Sequence, residues 1–197
     1  MQTNSVAAAV IAEAFLYYPT MTHAFEGKTV QERSLLLPKL FTRCVAAADK
    51  YGGVVTTSDN SGALIWLAGD YFPMGFINEF KAGMAAVPFE VGVKATLRLM
   101  NHEGASEQWI KDNSTGKMGY IWCVGVLPNQ RGQGHSRTLI DASIEQMKQQ
   151  GITDYWLKTE DPKNVLIYTK LGFEVVRQIV VKSSRLTTWF LRKKLMA

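Results

Sequence analysis

The stretch VGVLPNQRGQGHSR, residues 124–137, decides the fold, because it joins the end of an apolar segment to a glycine turn and a helical pattern. Residues 120–127 are almost wholly apolar, which is typical of a strand buried on both faces. Pro128 cannot donate a backbone hydrogen bond, so strand pairing ends there. Gly132 and Gly134 permit positive φ angles in a tight turn. The segment therefore predicts a strand, a glycine turn and a helix in direct succession.

The glycine turn predicts an anion site. Backbone N–H groups in such a turn can converge on one point, and the following helix brings its unpaired N–H groups and positive dipole end there. A phosphate or pyrophosphate suits this arrangement. The P-loop pattern would need Lys-Ser or Lys-Thr after the last glycine, where His135 and Ser136 stand, and a dinucleotide fingerprint would need a third glycine in place of Arg137. An ordinary strand–turn–helix without a ligand remains the alternative at this point.

A second segment, residues 155–176, predicts a strand, a short helix and a further strand. Asp161 is a suitable N-cap, and Pro162 suits the first helical position. A glycine follows the helix, as is common at helix ends. Asn164 and Tyr168 are four residues apart, so both side chains lie on one face of this helix.

These two segments carry a family resemblance. The string RGQGHS, residues 131–136, resembles the Arg/Gln-x-x-Gly-x-Gly/Ala signature of GNAT-type acyl-CoA N-acyltransferases, with Ser136 in place of a small Gly or Ala. The run NVLIYTKLGF, residues 164–173, resembles the second signature of that family, Asn-x-x-x-Tyr-x-x-x-Gly-Phe. The order of the signatures also fits the family, and the resemblance is strong over residues 118–176.

Other features point to one branch of the family. The helical start, the strands around Trp66 and Trp122, and the basic ending with Thr188 and Trp189 look most like enzymes that acetylate small amines, puromycin-type acetyltransferases among them.

The resemblance implies an α+β, GNAT-like fold, in which helices flank a central, mostly antiparallel mixed sheet. Residues 37–48 carry apolar side chains at the spacing of one helix face, and Pro38 is expected to start or kink that helix. The turn DNSG at residues 59–62 lies between two short apolar segments and predicts a hairpin. Residues 69–112 predict two helices divided near Pro88.

We expect a single domain over residues 1–197, as a monomer or a homodimer. A chain of this length can bury roughly 70% of its unfolded surface, and 47% hydrophobic with 20% charged residues describes an ordinary globular protein. The motifs occupy a core at residues 118–176. The helix-rich regions 1–50 and 69–112 are expected to bind the acceptor.

The sequence predicts a cytoplasmic protein without a membrane partner. The apolar residues 6–12 are not preceded by Lys or Arg, and Glu13 interrupts them before they reach membrane-spanning length. We interpret them as a first helix packed on the core. Cys44 and Cys123 both lie in apolar runs, which favours two buried reduced thiols over a disulfide or a reactive thiol.

The net charge of +5 comes from the end of the chain. Residues 175–197 contain six basic residues and no acidic one, so the rest of the chain is nearly balanced. A solvated strand pair and tail explains this distribution, and a field that attracts polyanionic coenzyme A is the alternative. Trp189 and Phe190 fit a buried strand as well as a nucleic-acid groove, so we expect no nucleic-acid partner.

The resemblance implies acetyl-CoA as cosubstrate and assigns residues to it. The backbone from 131 to 136 would hold the pyrophosphate, and Val124 and Val126 would offer backbone groups to the pantetheine arm, which Asn164 would also bind. The pyrophosphate set is Arg131, Gly132, Gln133, Gly134, His135 and Ser136. The Val124 N–H would donate to the oxyanion.

Tyr168 would contact the coenzyme and protonate the departing sulfur. A thiol pKa of ~8.5 lies below the ~10 of a phenol, so full proton transfer is uphill and the hydroxyl can serve by stabilising developing charge. A tyrosine that only packs is the alternative. No cluster of residues has metal-ligand spacing, so no metal is expected.

Two residues are candidates for the general base. An alkyl amine of pKa ~10.4 costs roughly 4–5 kcal/mol to deprotonate at neutral pH, so a base or a water chain helps. Glu160 ends its strand beside the helix that carries Tyr168, where it could take the proton or only support that helix. His102 is the second candidate, and an exposed loop histidine is its alternative.

The sequence thus predicts transfer of an acetyl group from acetyl-CoA to a primary amine of a small molecule by direct attack. The N-terminus of a peptide or protein is the rival acceptor. A coenzyme-A-binding sensor without catalysis is the alternative from a different functional class.

Overall fold

The computed structural model describes residues 2–194. Within that range, eight α-helices and six β-strands follow one another along the chain: α1 (Gln2–Ala14), α2 (Pro19–Ala24), α3 (Val30–Tyr51), β1 (Gly52–Thr56), β2 (Gly62–Ala68), α4 (Phe76–Lys81), α5 (Val87–Val91), α6 (Val93–Asn113), β3 (Met118–Val126), α7 (His135–Gln149), β4 (Asp154–Thr159), α8 (Pro162–Lys170), β5 (Glu174–Val180) and β6 (Thr187–Lys194).

The six strands form one mixed sheet in the order β1-β2-β3-β4-β6-β5. Strands β3 and β4 run parallel, and every other neighbouring pair is antiparallel. This arrangement confirms the predicted mostly antiparallel mixed sheet. The β3–β4 pairing covers only Met118–Tyr120 against Asp154–Trp156. Beyond Tyr120 the two strands separate, and the facing edges of the sheet are left unpaired.

Helices cover both faces of the sheet. Apolar side chains of α1 and α3, such as Ile11 and Phe41, pack on one face together with Ile65, and α6 packs on the same face through Trp109. The other face carries α7 and α8, where Trp66 and Tyr155 are fully buried. The separated ends of β3 and β4 therefore lie between two layers of helices.

The third helix is longer than the sequence predicted. It begins at Val30, because Thr29 and Glu32 form a reciprocal capping box, and Pro38 lies inside the helix. The expectation that Pro38 starts the helix is wrong. The helix ends at Tyr51.

Residues 69–112 contain three α-helices where two were predicted. Pro88 lies at the start of the short helix α5, and the break before α6 falls at Gly92, which has a φ of 98°. Gly92 provides the positive φ that ends α5, so the glycine makes the division that was assigned to the proline.

Other local predictions are confirmed. Residues 6–12 belong to α1 and pack on the core. The hairpin β1–β2 turns at residues 57–61. Asp161 caps α8 by accepting from the N–H of Lys163 at 2.9 Å, with Pro162 at the helix start. Cys44 and Cys123 are buried and free.

Candidate active site

A cavity of about 1200 Å³ lies where β3 and β4 separate. Its walls come from both faces of the sheet. On one side they are formed by residues 128–137 and α8, and on the other by the end of α1, by α4 and by one face of α6. The cavity therefore passes between the two strands and joins both sides of the sheet.

The glycine turn leaves a row of backbone donors at the cavity. Gly132 and Gly134 have φ angles of 81° and 86°, and α7 starts directly after them. Between residues 2 and 194, no acceptor bonds the N–H groups of residues 132–136, whereas Arg137 N–H donates to Gly134 O at 2.9 Å. A Cβ built on either glycine would meet no protein atom within 4 Å. Five free amides at a helix start form a cradle for an anion.

Basic side chains surround this cradle. Arg131, Arg137, Lys163 and Lys170 line the cavity. The side chain of Arg131 folds back and donates to Val126 O and Ala14 O, each at 3.4 Å.

The basic end of the chain is engaged elsewhere, and residues 195–197 lie outside the described range. Arg192 forms an ion pair with buried Asp154, and Lys193 donates to Leu171 O at 2.8 Å. Strand β5 is mostly exposed. These contacts favour the solvated strand pair over a coenzyme-attracting field as the reason for the charge.

Helix α8 brings the two predicted residues of the second motif to the cavity. Asn164 lines it and donates to Thr159 Oγ1 at 3.3 Å. Tyr168 is 8% exposed and packs edge-on against Phe173, with ring centroids 6.1 Å apart. In the described part of the chain nothing hydrogen-bonds to its hydroxyl. Burial, then the charges of Cys123 and Glu160, raise the pKa of Tyr168 well above its usual range, so the hydroxyl stays protonated.

Val124 and Val126 lie on the part of β3 beyond its pairing with β4. Both pair with β2 on the other edge, opposite Leu64 and Gly62, and both line the cavity. The β4-facing edge of β3 is thus open to a ligand in extended conformation.

Glu160 lies at the centre of a buried hydrogen-bond network. Its Oε1 accepts from Lys158 Nζ at 3.0 Å and from Thr188 Oγ1 at 3.2 Å, and lies 3.1 Å from His102 Nε2. Its Oε2 accepts from the Tyr18 hydroxyl at 3.0 Å. Burial alone would raise the pKa of Glu160, but the charges and hydrogen bonds of Lys158 and His102 outweigh it and hold the pKa well below its usual range. Such a carboxylate is a weak base, which favours the supporting role over the catalytic one.

His102 belongs to the same network. It lies on α6, is fully buried, and has Nδ1 2.8 Å from Ser184 Oγ. The alternative of an exposed loop histidine is wrong, because the helix extends past it and turns it toward Glu160. The two predicted bases are therefore direct neighbours.

Three further cavity residues were missed by sequence reasoning. Tyr18 contacts Glu160, which lies 142 positions away, so no local pattern could reveal it. Lys158 lies two residues before Glu160, so both side chains are on the same face of the extended segment. Lys158 also forms an ion pair with Glu103 at 2.9 Å. Glu107 lies one helical turn after Glu103 on the cavity-lining face of α6, a spacing that the sequence does show.

His135 begins α7 next to the hairpin turn. Its Nε2 lies 3.2 Å from Ser61 Oγ and 3.8 Å from Asp59 Oδ2. The ring thus ties the start of α7 to the β1–β2 turn, and His135 also lines the cavity.

Among residues 2–194, no group of three or more His, Cys, Asp or Glu side chains is placed to hold a metal ion. No described helix combines the length and the hydropathy needed to cross a bilayer.

The fold is similar to solved N-acetyltransferase structures. A mutant of agmatine N-acetyltransferase in its apo form aligns with a TM-score of 0.66 at 11% identity, over 98% of this chain and 95% of that chain. Arylalkylamine N-acetyltransferase 2 from Aedes aegypti gives 0.65 at 13% identity, over 99% and 95%. The Drosophila melanogaster polyamine N-acetyltransferase gives 0.66 at 10% identity, over 98% and 95%. At these identities the likeness establishes the fold.

The family assignment comes from the sequence match. The model of the acetyltransferase (GNAT) family matches residues 45–173, about two thirds of the chain. This range includes both the glycine-turn motif and the motif with Asn164 and Tyr168. The chain belongs to the GNAT acetyltransferase family.

Proposed function

We propose that this protein transfers the acetyl group of acetyl-CoA to a primary amine of a small molecule. The observation that carries the proposal is that the glycine turn, with the free amides of residues 132–136, and Tyr168 border one cavity, which continues between the strands to an acidic side. The names of the structural neighbours, which concern agmatine, polyamines and arylalkylamines, support a small amine as acceptor.

The coenzyme would bind on the α7–α8 side. The amides of residues 132–136 would hold the pyrophosphate, and the surrounding Arg and Lys side chains would balance its charge. The open edge of β3 at Val124 and Val126 would bind the pantetheine arm as an added strand, and Asn164 would donate to it. Apart from Gln133, each of these residues lines the cavity.

The acyl transfer would use one donor at each end of the breaking bond. The Val124 N–H would stabilise the oxyanion that forms when the amine attacks the thioester. The Tyr168 hydroxyl would donate to the departing sulfur, and no group within residues 2–194 competes for this hydroxyl. Since its pKa is raised, the hydroxyl stabilises developing thiolate charge more readily than it gives up its proton completely.

The amine proton would leave on the α6 side. Glu160 and His102 are in contact, so a proton passed to Glu160 can move on to His102 and Ser184. The low pKa of Glu160 prevents it from keeping that proton. We therefore propose a route through water in the cavity, with the Glu160 network fixing Tyr18 and Lys158 along it.

Acetyl transfer is tested with a panel of primary amines. The purified protein is incubated with acetyl-CoA and each amine, free thiol is measured over time, and the acetylated product is identified by mass spectrometry. Steady thiol release that requires the amine supports the proposal. Tight binding of coenzyme A without turnover on any amine would support the sensor, and turnover on peptide N-termini alone would support the rival acceptor.

A further inference from the structure

We propose that the acceptor is a linear amine with a second positive charge at its far end, an alkane diamine or an aminoalkyl guanidine, and that Glu107 and Glu79 bind that second charge. This inference rests on the proposed function and names the acceptor class of the same cavity.

The acidic side of the cavity has more carboxylates than cations to pair with them. The cation next to these carboxylates is Lys158. Its ammonium is already bound by Glu103 at 2.9 Å and by Glu160 at 3.0 Å. Glu107 and Glu79 receive no hydrogen bond or ion pair from any residue between 2 and 194. The side therefore holds carboxyl groups without a cationic partner, and a cationic ligand would stabilise their ionised form.

Glu107 is the carboxylate that most needs a cation. Burial, and then the charge of Glu103, raise its pKa well above its usual range, and Glu79 adds to the effect. Glu107 is partly buried, and a cation beside such a carboxyl lowers its pKa and favours the ionised form, so a ligand that supplies the charge gains an ion pair there. Burial likewise raises the pKa of Glu79.

The surroundings of these carboxylates suit a methylene chain. On α4, Phe76, Glu79 and Phe80 line the cavity at helical spacing, although Phe76 is 81% and Phe80 is 66% exposed. A ligand that places its chain between these rings would cover apolar surface that now faces solvent. The rings also flank Glu79 and can interact with a cation there. A second cationic group on an apolar spacer thus fits both features.

The inference is tested with three acceptors of one chain length: hexamethylenediamine, hexylamine and aminohexanoate. They differ only in the far end, which is a cation, a methyl group or an anion. We expect kcat/KM to be about tenfold or more higher for the diamine than for hexylamine, which corresponds to about 1.4 kcal/mol. Aminohexanoate should be the poorest of the three, because its carboxylate is repelled. Equal kcat/KM for the diamine and hexylamine would overturn the inference.

Two near-isosteric variants locate the site. In Glu107→Gln and Glu79→Gln the ratio of kcat/KM for the diamine to kcat/KM for hexylamine should fall at least about threefold. Glu145→Gln removes the same charge from an exposed position on α7 outside the cavity, and it should keep the full preference. A preference that survives in Glu107→Gln shows that the second charge binds elsewhere, and the inference fails.

A ligand that cannot be acetylated separates this inference from the proposed function. Hexamethonium carries two quaternary ammonium groups, and its binding is measured by calorimetry with the thermal stability of each variant as the folding check. We expect the wild-type protein to bind it more tightly than Glu107→Gln by about tenfold. This result without turnover of any amine would refute the proposed function and leave the dication site. Turnover of hexylamine without a preference for the dication would support the proposed function and refute the dication site.

Discussion

Replacing Tyr168 with Phe tests the leaving-group assignment most directly. The ring packs against Phe173 and is almost fully buried, and Phe keeps that packing. The hydroxyl has no hydrogen-bond partner in residues 2–194, so removing it leaves no buried group unsatisfied. We therefore expect the free energy of unfolding to change by less than about 0.5 kcal/mol.

The kinetic effect should be much larger than the effect on stability. The hydroxyl interaction strengthens only as the C–S bond breaks, so kcat and kcat/KM should fall together. General acid catalysis contributes about 10²–10⁴-fold, and the raised pKa of Tyr168 makes transfer to sulfur unfavourable, which points to the lower end. We expect a loss on the order of 10²-fold, or about 2.7 kcal/mol in activation free energy.

The assay uses saturating acetyl-CoA and a competent amine under conditions where chemistry limits the rate. Tyr155→Phe is the matched control, because the Tyr155 hydroxyl donates to Ile152 O at 2.9 Å in the core behind β4. That variant should lose about 1–3 kcal/mol of stability and keep its kcat. If Tyr168→Phe changes kcat by less than threefold, the hydroxyl takes no part in the reaction and Tyr168 only packs.

Two further predictions concern the coenzyme cradle and the sheet. Gly134→Ala and Gly151→Ala both place a side chain at positive φ in open space, so each variant should lose about 1 kcal/mol of stability. Only Gly134→Ala should also weaken coenzyme A binding, by tenfold or more in calorimetry. Asp154→Asn breaks the ion pair with Arg192 and should lower the free energy of unfolding by about 3 kcal/mol at pH 7. Since folding lowers the Asp154 pKa, this difference in stability should shrink as the pH falls below ~3.9.

The parts of the site that lie on one local segment could be predicted from the sequence. The glycine turn places its own free amides at the start of α7, and the Asp161 cap sets the orientation of α8 and hence of Tyr168. In both cases the backbone geometry depends on residues within a few positions, so turn and cap chemistry suffice.

The acidic side of the site could not be predicted in the same way. The partners of Glu160 come from the α1–α2 turn, α6, β4 and β6, and they meet only after the sheet has formed. For this reason the local sequence pattern allowed the wrong alternative for His102, an exposed loop histidine. Within 69–112, a glycine at position 92 decided where one helix ended, although the proline nearby gave the stronger signal for a break.

The separation of β3 and β4 also bears on the reaction pathway. It opens the cavity to both faces, so an amine from the α6 side can meet a thioester from the α7–α8 side without an enzyme-bound intermediate. Cys123 and Cys44 line the same cavity, and they are the thiols that a two-step pathway would acetylate first.

The protonation state of the two thiols is unsuitable for accepting the acetyl group. Burial raises the pKa of Cys44 to about 12 and that of Cys123 well above its usual range, and a thiol needs its thiolate to attack. Direct attack therefore predicts no burst of coenzyme A when the protein is mixed with acetyl-CoA alone. We expect Cys123→Ser to keep kcat within about threefold. One equivalent of thiol released without an amine, lost in Cys123→Ser, would establish an acetyl-cysteine pathway instead, because only a covalent intermediate produces a stoichiometric burst.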